Sequence, residues 1–254
     1  MQVRLVEILF RFSNGRYGMR LHSWLLLLAA GSLLGGPAYA ANEGDPHYTP
    51  AGFFDIHVCN WPEKPRFLMA LFSTVRFDEV AKVSVYAPDG RHVGDLDLKR
   101  FRAFKTPAGQ PKRAFIAHLD VPDKAVDGWY RGEITLKDGS RFEAQDYVIH
   151  HFMAHPTGTQ PAPDATDVAA TTTFSWNPIP GAKYYEVFLR DDWTWGEPFA
   201  SGLLTEPRYQ PPPGLLKSGG AYLWRIHARD GDGNVLLGDF NHGSLSPEMQ
   251  FSVK

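Results

Sequence analysis

The sequence predicts an all-β protein in which two tandem β-sandwich domains follow a cleaved signal peptide. Short segments alternate between apolar and polar residues, Asp-Gly turns separate several of them, and no long stretch has helical periodicity. An apolar run near the N-terminus supplies the leader. The length of the remaining chain suits two domains of ordinary size.

The leader occupies residues 1–40. Its apolar run, 24–34, follows Arg20, and the small residues Ala38 and Ala40 form the Ala-x-Ala pattern that signal peptidase cleaves. The run is shorter than the roughly 20 apolar residues that cross a bilayer, which disfavours an uncleaved anchor. We therefore expect a mature chain that begins at residue 41, has no membrane span, and is periplasmic or secreted.

Charge and cysteine content narrow the classes of partner. Residues 1–40 carry four arginines and one glutamate, so their removal changes the net charge from −2 to −5. A mildly acidic chain without a Lys/Arg run is a poor partner for nucleic acid or anionic membranes. Cys59 is the only cysteine, so the chain has no internal disulfide and depends on its cores for stability.

The first domain is expected over residues 41–154 as an immunoglobulin-like sandwich. Its turns include Pro88-Asp-Gly90 and Lys137-Asp-Gly-Ser140, which are hairpin signals. A helical turn is allowed at 75–81 and at 97–105, but nothing longer. The predicted strands lie at 53–59, 67–72, 82–86, 114–119, 129–136 and 142–149.

Residues 155–163 are rich in Pro, Gly and Thr, and they predict a stiff linker that joins neither sheet. The second domain, 164–254, contains the clearest strand, 222–228. Tyr222, Trp224, Ile226 and Ala228 fall on one face, which we expect to face the core. Leu223, Arg225 and His227 fall on the other face, which we expect to meet solvent. A second strand at 183–189 alternates less cleanly, which indicates a sheet covered on both sides.

These patterns resemble a fibronectin type III module over about residues 161–254. The resemblance lies in Trp176, in a Gly-Ala-x-x-Tyr-x-Val strand that begins at Gly181, and in the Tyr-x-Trp-Arg-Ile-x-Ala strand that begins at Tyr222. It implies that the Tyr222 hydroxyl bonds back to the main chain as a tyrosine corner. The family has no common catalytic site, so the resemblance implies architecture alone.

The segment from Asp191 to Glu197 is the candidate ligand site. Trp193 and Trp195 lie two residues apart, so in an extended loop both rings face one way. Asp191 and Asp192 add carboxylates beside them. Such rings stack on sugar C–H faces or on a protein partner, and carboxylates accept sugar hydroxyls. The alternative is that the rings cover the end of the sandwich or pack against the first domain.

Two histidine patterns allow a metal site, but a simpler interpretation is favoured for both. His57 and Cys59 share a face of one strand, where we expect an imidazole that is exposed or hydrogen-bonded and a buried thiol that behaves as a small hydrophobe. His150, His151 and His155 have zinc-like spacing only on a helix, whereas a strand is predicted just before them. We expect solvated histidines there and assign neither a metal nor a cofactor.

Two further loop patterns are incomplete. Asp230-Gly-Asp232-Gly-Asn234 begins like a calcium loop, but Val235 stands where the loop needs glycine. Asp239, His242 and Ser244 have the residue types of a catalytic triad, but there is no Gly-x-Ser-x-Gly elbow, and we reject an esterase.

The sequence thus favours an exported, non-catalytic binding protein of the cell envelope that recognises a protein partner. A carbohydrate-binding accessory protein that uses the tryptophan loop is the first alternative. A metal-dependent hydrolase that uses the histidines near residue 150 is the second.

Overall fold

The fold is all-β. The computed structural model describes residues 44–121, 125–194, 196, 198–231 and 241–254, and every regular element there is a strand. The first strands are β1 (Tyr48–Thr49), β2 (Gly52–Asn60), β3 (Phe67–Thr74), β4 (Val80–Tyr86), β5 (His92–Asp95), β6 (Phe101–Lys105), β7 (Pro111–Asp120), β8 (Gly128–Leu136) and β9 (Arg141–Val148). The later strands are β10 (Ala165–Val168), β11 (Phe174–Ser175), β12 (Tyr184–Asp191), β13 (Phe199–Ala200), β14 (Arg208–Tyr209), β15 (Ala221–Arg229), β16 (His242–Leu245) and β17 (Met249–Val253). The described residues contain no helix that is long and apolar enough to cross a bilayer.

The N-terminal half forms two facing sheets with a core between them. One sheet has neighbouring strands β2, β3, β7 and β6, and the other has the order β5-β4-β8-β9. Alternate side chains of each sheet point into the core, as the period of two requires. The largest buried side chains there are Phe54, Phe72, Phe115 and Tyr130.

Gly132 is required by the tight packing of this core. A Cβ atom added at Gly132 lies 2.7–2.8 Å from three ring atoms of Phe54, which is 0% exposed. We expect Gly132→Ala to lower the free energy of unfolding by about 1–3 kcal/mol through overpacking. Urea denaturation measures this change. Gly139→Ala does not control for packing, because Gly139 has a φ of 88° and strains any L-residue. The matched test is a double-mutant cycle with Phe54→Leu, which removes the ring that the new methyl group would meet. The losses in free energy of unfolding from Gly132→Ala and Phe54→Leu should then not add up in the double variant.

The C-terminal half is an immunoglobulin-like sandwich of the fibronectin type III kind. One sheet places β15 between β12 and β17, with β13 on β12 and β10 on β17, and the facing layer is the β11-β14 pair. Trp224 is 0% exposed at the centre of its core, with its ring centroid 4.7 Å from that of Phe174. The predicted core face of the 222–228 strand is therefore confirmed.

The tyrosine corner is also confirmed. The Tyr222 hydroxyl accepts a hydrogen bond from the Lys217 amide at 2.8 Å, and the ring stacks on Phe251 with centroids 5.5 Å apart. The hydroxyl thus satisfies a main-chain donor of the connection before β15. The bond fixes where this long central strand begins.

Strand β16 joins the two halves into one sheet. It pairs antiparallel with the second half of β15, from His227 to Arg229, and parallel with β2, from Val58 to Asn60. The result is a single 11-stranded sheet that runs through both halves. The sequence analysis placed His242 and Ser244 in a loop, so it did not predict this connection.

The expectation that Arg225 and His227 face solvent is wrong. Their exposed fractions are 7% and 3%. Arg225 donates to the Ser246 carbonyl at 3.0 Å and also bonds the Glu63 carboxylate of the β2–β3 connection. Once β16 extends the sheet towards β2, the polar face of β15 meets groups from the N-terminal half instead of water. The expectation of a sheet covered on both sides at β12 is confirmed, since Glu186 and Phe188 are buried.

The expectation that residues 155–163 join neither sheet is also wrong. Gln160 and Ser175 exchange two main-chain hydrogen bonds of 2.8 and 2.9 Å, and the Asn177 amide donates to the Thr157 carbonyl. Only the prolines of this segment lack a donor, so the residues between them can still pair with β11. The segment is therefore held against the C-terminal half.

Candidate functional site

The loop after β12 presents an exposed tryptophan on a fixed turn. Trp193 is 77% exposed, which is the highest value among the large apolar residues described. The Asp191 carboxylate accepts the Trp193 and Thr194 amides at 2.9 and 3.0 Å, so one side chain satisfies two main-chain donors. These bonds lower the pKa of Asp191 and keep it ionised. The turn therefore holds its shape without burying Trp193.

The position of the loop follows from the strand register. Asp191 lies opposite Tyr222, at the start of β15, whereas β16 pairs with the end of β15 at 227–229. At about 3.3 Å per residue, this separates the loop from β16 by roughly 15–25 Å. Trp193 is 77% exposed, so its ring covers neither core.

Asp192 is tied to the next strand of the same sheet. Its carboxylate accepts the Gln250 side-chain amide at 3.1 Å, so the loop is braced against β17. Trp195, the second predicted ring, lies outside the described residues. The structure thus brings Asp191, Asp192 and Trp193 together at one end of the sandwich, in half-buried and exposed positions.

The sequence analysis missed a second exposed aromatic pair. Trp129 on β8 and Tyr147 on β9 are cross-strand neighbours, 49% and 44% exposed, with ring centroids 5.3 Å apart. On the same face, the Arg131 guanidinium lies 4.7 Å from the Tyr86 ring centroid. Alternation along both strands was the available signal, because residues 129, 131 and 147 fall opposite the core positions.

Cys59 is a buried hydrophobe, as predicted. It is 2% exposed and packs with Phe67 and Met69. Burial raises the pKa of its thiol to about 12, so the thiolate that binds soft metals is disfavoured. His57 is buried and bonds the Asp55 carboxylate at 2.6 Å, which confirms a hydrogen-bonded imidazole.

The histidines near residue 150 have separate partners. His150 bonds the Tyr130 hydroxyl at 2.8 Å, and His155 donates to the Leu245 carbonyl at 2.8 Å. The ring of His151 lies 6.0 Å from that of His242. In the described part of the chain, these side chains do not belong to a group whose donor atoms can share an ion.

Asp230 and His242 form a structural pair. The Asp230 carboxylate accepts both the main-chain amide and Nδ1 of His242, at 3.1 and 2.6 Å, and His242 Nε2 donates to the Ile149 carbonyl at 2.8 Å. Burial opposes charge on this imidazole, but the acceptors on both nitrogens raise its pKa. The pair ties β16 to the chain that follows β9. The remaining acidic positions of the calcium and triad patterns, Asp232 and Asp239, lie outside the described residues.

A buried polar group lies where β2 meets β9. His47 Nε2 is 3.2 Å from Asp146 Oδ1, and Asp146 Oδ2 accepts the Ile56 amide at 2.8 Å. Asp55 lies beside them. Burial raises the pKa of Asp55 to about 6, His57 opposes this shift, and the neighbouring Asp146 reinforces it. Within the described residues, only His47, Asp55 and Asp146 place donor atoms within 4.8 Å of one another, as one ion requires.

Two histidines, the half-buried His118 and the buried His227, make stability depend on pH. Burial lowers the pKa of His118 to about 4 and that of His227 to about 3, with the cations Lys64 and Arg229 acting in the same direction. Between these values and about 6.5, the unfolded chain binds more protons than the folded chain, so stability falls as pH falls through this range. We expect a loss of the order of 2 kcal/mol per group by pH 4. Urea denaturation at pH 7 and pH 4.5 measures it.

The control for this pH dependence is His92→Asn, which removes an exposed imidazole. It should leave the slope of stability against pH unchanged, whereas His118→Asn should reduce the slope. Equal slopes in the wild type and both variants would contradict the assignment.

Comparisons with known proteins give matches to solved structures alone. No protein-family model matches the sequence, and no curated protein matches it. Among solved structures, the chain is similar to the FN1–FN3 domains of chicken CNTN1, with 12% identity, a TM-score of 0.29, and coverage of 81% of this chain and 66% of that one. It is also similar to SGBP-B of the Bacteroides ovatus mixed-linkage glucan utilization locus, solved with a mixed-linkage heptasaccharide, with 12% identity, a TM-score of 0.23, and coverage of 77% and 42%.

A third similar structure is a tetra-tandem repeat in the extending region of a large adhesion protein, with 14% identity, a TM-score of 0.27, and coverage of 80% of this chain and 50% of that one. The chain thus spans only part of the length of these proteins. The strand order and the Tyr222 corner show that its C-terminal part is an immunoglobulin-like module of the fibronectin type III kind.

Proposed function

We propose that the chain is an exported, non-catalytic binding protein of the cell envelope that recognises a protein partner through the loop from Asp191 to Trp195. One observation carries the proposal: Trp193 is 77% exposed on a turn that its own neighbour Asp191 fixes. Exposed tryptophans that become buried in a complex are frequent hot spots of protein interfaces.

Residues 191–194 of the loop are suited to binding because hydrogen bonds hold their shape. The Asp191 bonds and the Asp192–Gln250 bond hold the turn before any partner arrives. Binding then loses less conformational entropy than it would from a mobile loop. The loop also lies at the end of β15 that is opposite to its pairing with β16.

A polysaccharide is the second candidate partner, because the same loop combines an aromatic ring with carboxylates. The exposed Trp193 ring offers a stacking surface for a sugar, and the half-buried carboxylates of Asp191 and Asp192 come directly before it in the chain. A glycan would use the ring and the carboxylates together. A protein partner depends mainly on the ring.

We further propose four segments for the chain: a signal peptide at 1–40 that directs export, an N-terminal domain at 41–154, a linker at 155–163 and a C-terminal domain at 164–254. The two separate apolar cores support the two domains. The short apolar run and the Ala-x-Ala pattern support a periplasmic or secreted mature chain.

Photo-crosslinking in cells tests the proposed partner. A crosslinking amino acid placed at position 193 should give a specific adduct with an envelope protein. The same amino acid at position 129, an exposed tryptophan position on another face, should not. Adducts at both positions, or at neither, would contradict recognition of a protein through this loop.

Pelleting separates the two candidate partners. The purified protein is mixed with insoluble polysaccharides and with peptidoglycan, and the bound fraction is measured. Pelleting that Trp193→Ala abolishes and Trp129→Ala preserves would identify a glycan as the partner. If no polymer pellets the protein, the glycan candidate is excluded and the crosslinked protein remains.

A further inference from the structure

The structure assigns a metal-binding site to His47, Asp55 and Asp146, and we propose that they hold one divalent transition-metal ion, with Zn²⁺ the best match. These three residues are called the His47 cluster. They come from the segment before β1, from β2 and from β9, so an ion there would connect the N-terminal segment to both sheets of the first half. The proposal is independent of the tryptophan loop.

The spacing of the donor atoms suits one small ion. One donor atom from each residue lies within 4.8 Å of the other two, and His47 Nε2 is 3.2 Å from Asp146 Oδ1. Zinc ligands lie about 2.0–2.2 Å from the ion, which places two ligands of a tetrahedral site roughly 3.4 Å apart. The His47–Asp146 distance already equals such an edge to within a few tenths of an ångström.

The tautomer of His47 supports a cation at this position. Its Nδ1 is 2.7 Å from Asp45 Oδ1, and because a carboxylate only accepts, Nδ1 carries the proton. Nε2 faces Asp146 Oδ1 at 3.2 Å, and without a metal ion this contact needs a proton on Nε2. A metal ion that replaces this proton would bind Nε2 and Asp146 Oδ1 together. A carboxylate on the far nitrogen of a metal-binding histidine is also the usual support of such a ligand.

Asp55 supplies the second, independent observation. It is 1% exposed, and its Oδ2 bonds His57 Nε2 at 2.6 Å. Its Oδ1 is buried and has no hydrogen-bond partner among the residues that the structure describes. A carboxylate oxygen that is removed from water without a donor is costly, and Asp146 beside it adds a like charge. One divalent cation compensates both carboxylates.

The ligand types decide the class of metal. One imidazole and two carboxylates match Zn²⁺ and Mn²⁺ better than copper(I), which prefers thiolates. Calcium needs six to eight oxygen ligands, which three side chains of this kind do not provide. The His47 side chain is 12% exposed, so an ion can enter from the solvent side of the cluster.

Zinc titration of the untagged protein tests the site. The protein is stripped with a chelator, dialysed, and titrated with Zn²⁺ alone at pH 7.5 by calorimetry. We expect one equivalent per chain. Zinc at about one hundred times its dissociation constant should raise the unfolding midpoint by roughly 5–10 °C, because the ion binds the folded chain only.

Variants locate the binding. His47→Ala and Asp55→Asn should each abolish the single high-affinity equivalent. Asp45→Ala, which removes only the support of His47, should weaken binding by about 10–100-fold. The matched control is His92→Ala, which removes an exposed histidine that also bonds an aspartate and should change nothing. If a variant does not fold, anomalous scattering from zinc-soaked crystals of the wild type must give a peak between the three side chains.

Three results would overturn the proposal. The first is the absence of a stoichiometric equivalent with either Zn²⁺ or Mn²⁺. The second is binding that His47→Ala and Asp55→Asn leave unchanged. The third is stabilisation by Asp55→Asn in a protein that binds no metal, which would show that a shared proton, and not an ion, compensates the two carboxylates.

Discussion

Replacing Trp224 with alanine is expected to lower the free energy of unfolding by about 3–5 kcal/mol. Trp224 is 0% exposed and touches the ring of Phe174 at the centre of the C-terminal core. The interior is packed too closely to collapse around the space that the indole leaves. Urea denaturation should show a lower midpoint with an unchanged slope.

Two further variants separate packing from other effects. The Trp224 Nε1 atom has no hydrogen-bond partner among the described residues, so Trp224→Phe removes no hydrogen bond and should cost less than half as much. Trp193→Ala removes the same side chain from an exposed position and should stay within about 0.5 kcal/mol of the wild type. Equal losses for Trp224→Ala and Trp193→Ala would contradict the placement of both residues.

Much of the fold could be predicted because local patterns and burial agree. At β15, alternate apolar residues lie in the core as the period of two requires, and Tyr222 makes its expected bond to the main chain. The strands near 53–59, 67–72 and 129–136 also form where the sequence indicates them. In each case, the alternation of apolar and polar residues within one strand is enough to predict that strand.

The features that the sequence did not predict depend on contacts between distant residues. Strand β16 contains only His242-Gly-Ser-Leu245, a sequence with no strand pattern, and it becomes a strand because β15 and β2 supply partners on both sides. This pairing also explains why Arg225 is buried against Glu63, against expectation. Residues 101–105 allowed a helical turn but form β6, because β7 offers an open edge.

The candidate site shows the same division. The aspartate turn at Asp191 and the tryptophan that follows it are local features, so their chemistry was visible in the sequence. The exposure of Trp193 could not be predicted from the sequence, since it depends on which end of β12 faces the N-terminal half. The His47 cluster was missed altogether, because residues 47, 55 and 146 have no spacing in common and meet only after both sheets form.

Replacing Trp193 with alanine is expected to weaken binding to the partner by at least about thirtyfold, which corresponds to about 2 kcal/mol. The expectation follows from an exposed ring on a preformed turn, where the partner buries apolar area without having to order the loop. Trp129→Ala should leave the affinity within a factor of two, because Trp129 lies on the outer face of the other sheet.

The most direct test of this account is therefore the affinity of cell-envelope material for three proteins: the wild type, Trp193→Ala and Trp129→Ala, all shown to be folded by their urea midpoints. Binding that Trp193→Ala alone reduces by thirtyfold or more would establish the loop as the recognition site. Equal binding by all three proteins would show that recognition takes place elsewhere on the molecule.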